Sequence, residues 1–156
     1  MDDMAMRAGE GRTYRFYRGR PTFPFAFGLT YASFGLEWAE APPTARTVAE
    51  MERGIAFRVA VRNTGPRAGA KVVAVFVSYR GPTVADGPRT QLLGLAKVLL
   101  LPGASAVAVV ESNAVPGHCS FCSVSEAGHS AVRPGQYTVT VGDAVRSDLA
   151  AHISVS

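Results

Sequence analysis

Apolar and polar positions alternate along much of this chain with the two-residue period of β-strands. In segment 55–62, apolar side chains at every second position alternate with alanine and arginine, which predicts a strand with one buried and one wetter face. Segment 71–79 is apolar on both faces, as in a central strand of a sandwich. Further strands are predicted from runs at 31–38, 92–101, 106–110, 121–124, 136–141 and 153–155.

Turn-forming residues separate these runs about every 8 to 12 positions. The clearest turns are NTGP at 63–66 and the Pro-Gly pairs that begin at 102, 116 and 134. About seven or eight short antiparallel strands result, which favours an all-β sandwich of the immunoglobulin-like or fibronectin type III-like class. The polar loop at 80–89 predicts a crossover, and a helical period is visible only near 48–52.

The most specific feature is a run of aromatic residues at the start of the predicted sandwich. Nine of the fourteen aromatic residues lie between positions 14 and 38, interleaved with arginine and proline. Aromatic faces stack on sugar rings, and aromatic residues beside arginines also suit single-stranded nucleic acid. The candidate sugar-stacking side chains are Tyr14, Tyr17, Phe23, Phe25, Phe27 and Trp38.

Composition and charge indicate one domain without a membrane span. The chain has 156 residues, of which 47% are hydrophobic, enough for one substantial core. No apolar stretch reaches the roughly 18 residues of a spanning helix, and the first residues lack the apolar centre of a signal peptide. We expect no membrane partner, and the compartment stays unknown. The net charge of +4 is uneven because five arginines crowd the start, namely Arg7, Arg12, Arg15, Arg18 and Arg20.

Several segments form a recognisable series in chain order. They are MDDMAMR with GRTYRFYRG, PFAFGLTYASF, VAVRNTGPRAGAKVVAVFV, QLLGLAKVLLLPGAS and RPGQYTVTVGD. Together they resemble the C-terminal end of a family 3 glycoside hydrolase, most closely its β-xylosidase and α-L-arabinofuranosidase branch, over nearly the whole chain. The series departs from the family at Ala26, where glycine is usual, and at Leu95, where an aromatic residue is usual. Ala26 puts the local turn geometry in doubt because alanine adopts positive φ less freely than glycine.

The resemblance implies two regions, with residues 1–29 as a strap left from the end of an α/β domain and residues 30–156 as the fibronectin type III-like domain. It also implies that the catalytic nucleophile lies on a barrel domain and the acid/base carboxylate ahead of this segment. The chain is therefore expected to be a noncatalytic accessory domain or fragment. Its partners would be the missing barrel and α/β domains, in cis or in trans, which hydrolyse O-glycosidic bonds in β-xylosides or β-glucosides.

The resembled family already has a methionine at the position of Met1. From this we expect a truncated gene model, a split gene or a degenerate paralogue, and the sequence leaves these three open. A free-standing β-sandwich that binds carbohydrate or a protein partner is the alternative function.

The carboxylates of the chain do not form a pair suited to glycoside hydrolysis. Retaining hydrolysis needs two carboxyl groups about 5 to 5.5 Å apart in one pocket, whereas these carboxylates lie beside the chain start, loops and turns. We expect them to be solvated surface groups, assign no catalytic, cofactor-binding or metal residue, and expect no hydrolysis by the chain alone. The carboxylates considered are Asp2, Asp3, Glu50, Glu52, Asp143 and Asp148.

The resemblance gives the aromatic run a further interpretation as an interdomain strap. Its apolar side chains would pack on the α/β domain and, with that domain absent, would be exposed or folded back onto the sandwich. This interpretation is favoured over sugar binding, and sugar binding over nucleic acid. We therefore expect no nucleic-acid partner, and an oligosaccharide remains a candidate ligand.

Two cysteines and two histidines lie close together in the last third of the chain. His118, Cys119, Cys122 and His129 equal the four nitrogen and sulfur ligands of a structural zinc site. On an extended strand, however, Cys119 and Cys122 face opposite ways about 10 Å apart, beyond disulfide reach unless a turn forms at 120–121. We expect two half-buried thiols, with zinc as the alternative, because no βαβ context supports a redox pair. We expect no cofactor.

Overall fold

The computed structural model describes residues 5–81, 87–113, 119–124 and 127–156. Two β-sheets enclose one hydrophobic core, and a segment of residues 5–31, called the strap below, precedes the first strand. The described helices are α1 (Thr13–Phe16) and α2 (Val48–Arg53). The described strands are β1 (Phe34–Trp38), β2 (Ala45–Arg46), β3 (Ala56–Asn63), β4 (Gly69–Arg80), β5 (Gln91–Leu100), β6 (Ser105–Glu111), β7 (Ser123–Val124), β8 (Ser130–Ala131), β9 (Gly135–Gly142) and β10 (Ser147–Val155).

One sheet has three strands in the order β1-β3-β6, and the other has five in the order β2-β10-β9-β4-β5. Strands β7 and β8 form a separate two-stranded ladder. Neighbouring strands are antiparallel except for β2 and β10, which pair in parallel through Ser154 with Ala45 and Val155 with Arg46. The predicted all-β sandwich is confirmed, and the short parallel pair is an addition to it.

The core lies between the inner faces of the two sheets. Strand β3 alternates in burial as its sequence predicts, with Phe57, Val59 and Val61 almost fully buried. The long β4 is buried on both faces over its middle, also as predicted. Each buried valine or phenylalanine contributes about 1.5 to 3 kcal/mol relative to an exposed side chain. The inner face of the five-stranded sheet is formed mainly by Val73, Val75, Val77, Val139, Val141 and Ile153.

The NTGP turn after β3 is fixed by a buried side chain. Asn63 is fully buried, and its amide nitrogen donates to the carbonyl oxygens of Arg67 at 2.8 Å and Leu100 at 3.1 Å. Its side-chain oxygen accepts from the backbone nitrogen of Gly65 at 3.0 Å. Because buried polar groups need such partners, the turn depends on asparagine at this position.

The predicted crossover at 80–89 is wrong, because β4 and β5 are antiparallel neighbours in the same sheet. The long polar loop therefore closes a hairpin. A change of sheet comes after β5, where Ala104 donates to the Leu101 carbonyl at 3.1 Å and Gly103 has a φ of 76°. The Pro-Gly pair at 102 thus marks one of the points where the chain changes sheet, between β5 and β6, and the NTGP turn between β3 and β4 marks another.

Helix α2 confirms the helical period predicted near 48–52. Thr47 caps it, since its hydroxyl accepts from the Glu50 nitrogen at 3.3 Å, while the Glu50 carboxylate accepts from the Thr47 nitrogen at 2.8 Å. This reciprocal pair is a capping box. The hydrogen bonds from the backbone and side chain of Thr47 hold the pKa of Glu50 below its ordinary value. The helix ends at Gly54, whose φ of 96° suits glycine.

The strap is mostly irregular, as expected, but it contains the four-residue helix α1, which the sequence pattern did not predict. Thr13 begins this helix with a φ of 57°. The first strand is also shorter than predicted, because β1 starts at Phe34 rather than at position 31. Residues 31–33 do not pair with β3 in the sheet; only Ser33 accepts a hydrogen bond, from the Thr64 nitrogen at 2.8 Å.

Candidate functional site: the strap and its groove

The strap has two unequal parts, residues 5–25 and residues 26–31, called its first and second half below. The first half packs on the outer face of the five-stranded sheet. Tyr14 and Phe25 stack with ring centres 4.3 Å apart, and each meets the ring of Phe76 edge-on at 6.1 and 6.2 Å. Phe76 lies between the core residues Val75 and Val77 on β4, so its side chain points away from the core. The strap nevertheless buries it to 1% exposure. These two strap aromatics therefore act as the cover of an outward-facing phenylalanine.

Hydrogen bonds fix the same half of the strap to strand β5. The Tyr14 hydroxyl accepts from the Leu92 nitrogen at 3.2 Å, and the Arg15 guanidinium donates to the Gln91 side-chain oxygen at 2.8 Å. Arg89 donates from its backbone nitrogen to the Arg15 carbonyl at 2.7 Å and from its guanidinium to the Tyr17 carbonyl at 2.8 Å. The expectation that the strap folds back onto the sandwich is met for this half.

The second half of the strap projects into solvent. Phe27 is 46% exposed, Leu29 92% and Tyr31 90%, and we call these three residues the strap tip. A turn leads into it, in which Phe27 donates to the Pro24 carbonyl at 3.0 Å and Ala26 has a φ of 69°. Alanine thus occupies the left-handed position where the resembled family has glycine, so the turn keeps its shape at a conformational cost.

An open groove of about 970 Å³ lies between the strap and the outer face of the five-stranded sheet. Tyr14, Tyr17, Phe23 and Phe25 line its strap side, and strands β4 and β9 with the turn at 143–147 line its sheet side. Four of the six predicted sugar-stacking residues therefore share one cavity. Phe27 does not line it.

Trp38, the sixth of these residues, belongs to the core instead. It lies on β1 with its ring centre 6.4 Å from that of Phe57 and is partly buried against the core cluster. Half-buried and exposed residues alternate along β1, and Trp38 occupies one of the half-buried positions. A sugar platform at Trp38 is therefore not supported by its surroundings.

Two of the predicted surface carboxylates have local structural roles. Glu50 belongs to the capping box, and Asp143 accepts from the backbone nitrogens of Val145 at 2.7 Å and Arg146 at 2.6 Å. Glu52 and Asp148 are exposed. Asp2 and Asp3 lie outside the described residues, so that expectation remains untested for them.

The expectation of two half-buried thiols is wrong, because Cys119 and Cys122 form a disulfide. A turn at 120–121 brings their Cα atoms to 5.2 Å, and Cys122 donates to the Cys119 carbonyl at 3.3 Å. The assumption of an extended strand failed here, since β7 begins only at Ser123. Within the described part of the chain, no group of three histidine, cysteine or acidic side chains is placed to hold a metal ion. His118 lies outside that part.

The sequence pattern missed the residues that hold this turn against the sandwich. The Ser120 nitrogen donates to the Asn113 side chain at 2.6 Å, and the Asn113 nitrogen donates to the Ser120 hydroxyl at 3.2 Å. Asn113 also donates to the Glu52 carbonyl at 2.8 Å, and Gln91 donates to the Ser120 carbonyl at 3.2 Å. Asn113 has a φ of 60°, in the left-handed region that asparagine tolerates. The asparagine is therefore the one signal in the sequence that could have indicated this turn.

Because Gln91 also accepts from Arg15, its side chain joins the disulfide turn to the strap. The amide of one residue thereby contacts two segments that are 105 positions apart in the chain, at Arg15 and Ser120. Phe121 completes the attachment, with its ring edge-on to Tyr137 at 5.8 Å in the core. Burial raises the pKa of Tyr137, whose hydroxyl bonds to the Arg133 backbone at 2.7 Å.

Comparison with known proteins agrees with this architecture. The model of the fibronectin type III-like domain matches residues 71–145. The exo-1,4-β-xylosidase bxlB of Emericella nidulans is 33% identical over 90% of this chain, which corresponds to 19% of that protein. The chain is a fibronectin type III-like domain of the family 3 glycoside hydrolase type. The residues matched by the domain model lie in the sandwich, after the strap.

Two β-glucosidases extend the same comparison. The enzyme of Rhizobium radiobacter is 33% identical over 86% of this chain and 16% of its own length. The solved β-glucosidase structure from Erythrobacter marinus superimposes with a TM-score of 0.73 at 30% identity, over 93% of this chain and 18% of that one. This chain thus spans less than a quarter of the relatives it matches. Among its described residues, no helix has the length and apolar character needed to cross a membrane.

Proposed function

We propose that this domain is a noncatalytic accessory part of a glycoside hydrolase, attached to catalytic domains that cleave O-glycosidic bonds in β-xylosides or β-glucosides. The observation that carries the proposal is the strap tip beside a fully formed sandwich core. Both the β-xylosidases and the β-glucosidases matched here contain a region similar to this chain as a minor part of their length. Their activities therefore reside in enzymes several times longer than this domain.

The strap tip is the proposed contact with the catalytic part. Leu29 and Tyr31 are 92% and 90% exposed, more than any aromatic residue earlier in the same run. Exposed apolar side chains that cluster at one place mark protein contacts more often than solvent surface. Residues 1–29 are accordingly proposed as the remnant of the α/β boundary, with the tip as the point where the two domains meet.

A hybrid enzyme tests this proposal. The region of the Emericella nidulans exo-1,4-β-xylosidase that aligns with this chain is replaced by the chain, and the activity on p-nitrophenyl β-xyloside and the melting temperature are measured. The double variant L29S/Y31S is expected to lower the melting temperature of the hybrid while leaving that of the isolated chain unchanged. L99S/V124S is the matched control, since Leu99 and Val124 are 76% and 67% exposed elsewhere.

Two results would contradict the accessory role. One is release of p-nitrophenol by the isolated chain without any added domain. The other is a hybrid whose melting temperature responds equally to the tip variants and to the control variants. The second candidate function, a free-standing carbohydrate module, is favoured by the aromatic groove and would appear as retention of the isolated chain on immobilised xylan.

A further inference from the structure

The groove under the strap differs from the strap tip in its chemistry. Its walls come mainly from four stretches of the chain, namely the strap, the end of β4, residues 89–90 just before β5 and the turn between β9 and β10, and Thr140 of β9 completes them. A volume of about 970 Å³ is at the upper end of the range for small-molecule sites. Because the strap tip does not line it, the groove is a separate surface from the proposed domain contact.

Positive charge converges on this groove. Arg18, Arg80, Arg89 and Arg146 line it from those four stretches, against one lining carboxylate, Asp143. That carboxylate is engaged by two backbone nitrogens. Within the described residues the four guanidinium groups form no ion pair. The excess of three positive charges compares with a net charge of +4 for the whole chain. Among the described residues that line the groove, positive charge therefore exceeds negative charge.

Aromatic faces and hydroxyl groups accompany these arginines. Phe23 is 70% exposed and stacks on Phe27 with ring centres 5.4 Å apart, so its other face is open. Arg89 is held in place by its hydrogen bond to the Tyr17 carbonyl, which leaves further guanidinium donors available. The sheet side adds hydroxyls at Ser78, Thr90 and Thr140. Stacking faces, neutral hydroxyls and guanidinium groups are thus present together.

We propose that the groove binds an acidic carbohydrate, namely an oligosaccharide that carries a uronic acid. A pyranose ring stacks on the open face of Phe23, its hydroxyls bond to the sheet, and its carboxylate is held by the guanidinium groups of Arg80 and Arg146. A nucleic acid suits the site less well, because backbone tracking needs an extended basic channel, whereas this groove is bounded by the strap. The inference rests on the proposed function, since it names a substrate feature that the accessory domain would recognise.

Such binding would hold an acid-substituted chain beside the catalytic domains. Tethering raises the effective concentration of the remaining sugar units without any change in the catalytic residues. The domain would then favour acidic over neutral substrates through capture rather than chemistry.

Isothermal titration of the 156-residue chain tests the proposal. The probes are aldotriouronic acid, in which a glucuronic acid is linked to xylobiose, and xylotriose as its neutral match. We expect at least about tenfold tighter binding of the acidic probe at 20 mM salt and a clear loss of that preference at 300 mM salt, because exposed charges are screened. The double variant R80Q/R146Q is expected to lose the preference, whereas R62Q, on the opposite sheet, retains it.

Further variants keep folding and binding apart. F23A is expected to weaken both probes by about the same factor while the melting temperature stays unchanged, because the ring is mostly exposed. Equal affinities for the two probes, absence of binding, or tighter binding of an oligothymidylate or a polyglutamate peptide would each overturn the proposal. None of these results affects the hybrid-enzyme test, which reads the strap tip.

Discussion

The two parts of the strap, residues 5–25 and residues 26–31, both contain aromatic residues but differ in position. Tyr14 and Phe25, in the first half, pack on Phe76 and connect to β5 by hydrogen bonds. Leu29 and Tyr31, in the second, are 92% and 90% exposed, whereas Phe27 is 46% exposed, close to the 45% of Phe25, but stacks on Phe23 instead of Phe76. The difference arises from what faces each half, because only the first meets an outward-pointing aromatic residue on the sheet. Aromatic content alone therefore says little about the role of such a segment.

The largest expected effect concerns the phenylalanine under the attached half. Replacing Phe76 by alanine removes a ring that is 1% exposed and undermines both strap aromatics, so we expect a loss of about 3 to 5 kcal/mol in unfolding free energy. Phe27→Ala, in the tip, should change it by less than about 0.5 kcal/mol. Urea denaturation measures both values, and equal losses would remove the distinction between the two halves.

Removal of the disulfide tests how far the attached region extends. For C119S/C122S we expect a loss of about 2 kcal/mol, the entropy of closing a loop of this size. Because Gln91 links the turn to Arg15, trypsin should also cleave faster after Arg18. Denaturation and proteolysis with and without dithiothreitol measure both effects. The double variant should give the same results with and without dithiothreitol. Unchanged cleavage rates would show that the strap is independent of the turn.

The Tyr14 hydroxyl tests how much hydrogen bonding contributes to the attachment of the strap. Tyr14→Phe keeps the ring but leaves the Leu92 nitrogen without its partner, which should cost about 1 to 2 kcal/mol. Tyr31→Phe makes the same chemical change in the tip, where the ring is 90% exposed, and should be neutral. Hydrogen exchange at Leu92 gives a local measurement. If that amide stays protected in the Tyr14 variant, the bond is not what holds this half.

The smallest expected effect lies far from the strap, in the cap of α2. Thr47→Ala should cost about 1 kcal/mol at pH 7 through loss of the capping box. Hydrogen bonds to Thr47 lower the pKa of Glu50, so the carboxylate stabilises the fold above its unfolded pKa and ceases to do so as pH falls through the lowered folded value. The loss of unfolding free energy caused by Thr47→Ala should therefore become smaller below about pH 4. A deficit that grows in acid would contradict this assignment, and Thr22→Ala is the exposed control.

The sandwich was predictable because its signals are local. Alternation within β3, the capping residues around α2 and the asparagine of NTGP each act over a few positions. Long-range features were not predictable in this way. The hairpin between β4 and β5 depends on which strands pair. The disulfide depends on a turn that is held by Gln91 and by Asn113, which in turn bonds to the carbonyl of Glu52.

The same limit applies to the candidate site. The sequence named the strap aromatics but gave no register between the strap and the sheet, so it could not separate Phe25 from Phe27. Nor could it bring Arg18, Arg80, Arg89 and Arg146 to one groove, since those positions are distributed along the chain. Only the folded arrangement relates these charges to each other.

The hydrogen bond between Tyr14 and Leu92 also sets an order of events during synthesis. The two residues are 78 positions apart, so the strap leaves the ribosome long before strand β5, which supplies the donor nitrogen of Leu92, has been synthesised. At about 5 to 20 residues per second, this interval lasts about 4 to 16 s. Throughout it, the aromatic run has no sheet to cover. During those seconds the aromatic run is available to a chaperone that binds unfolded apolar segments.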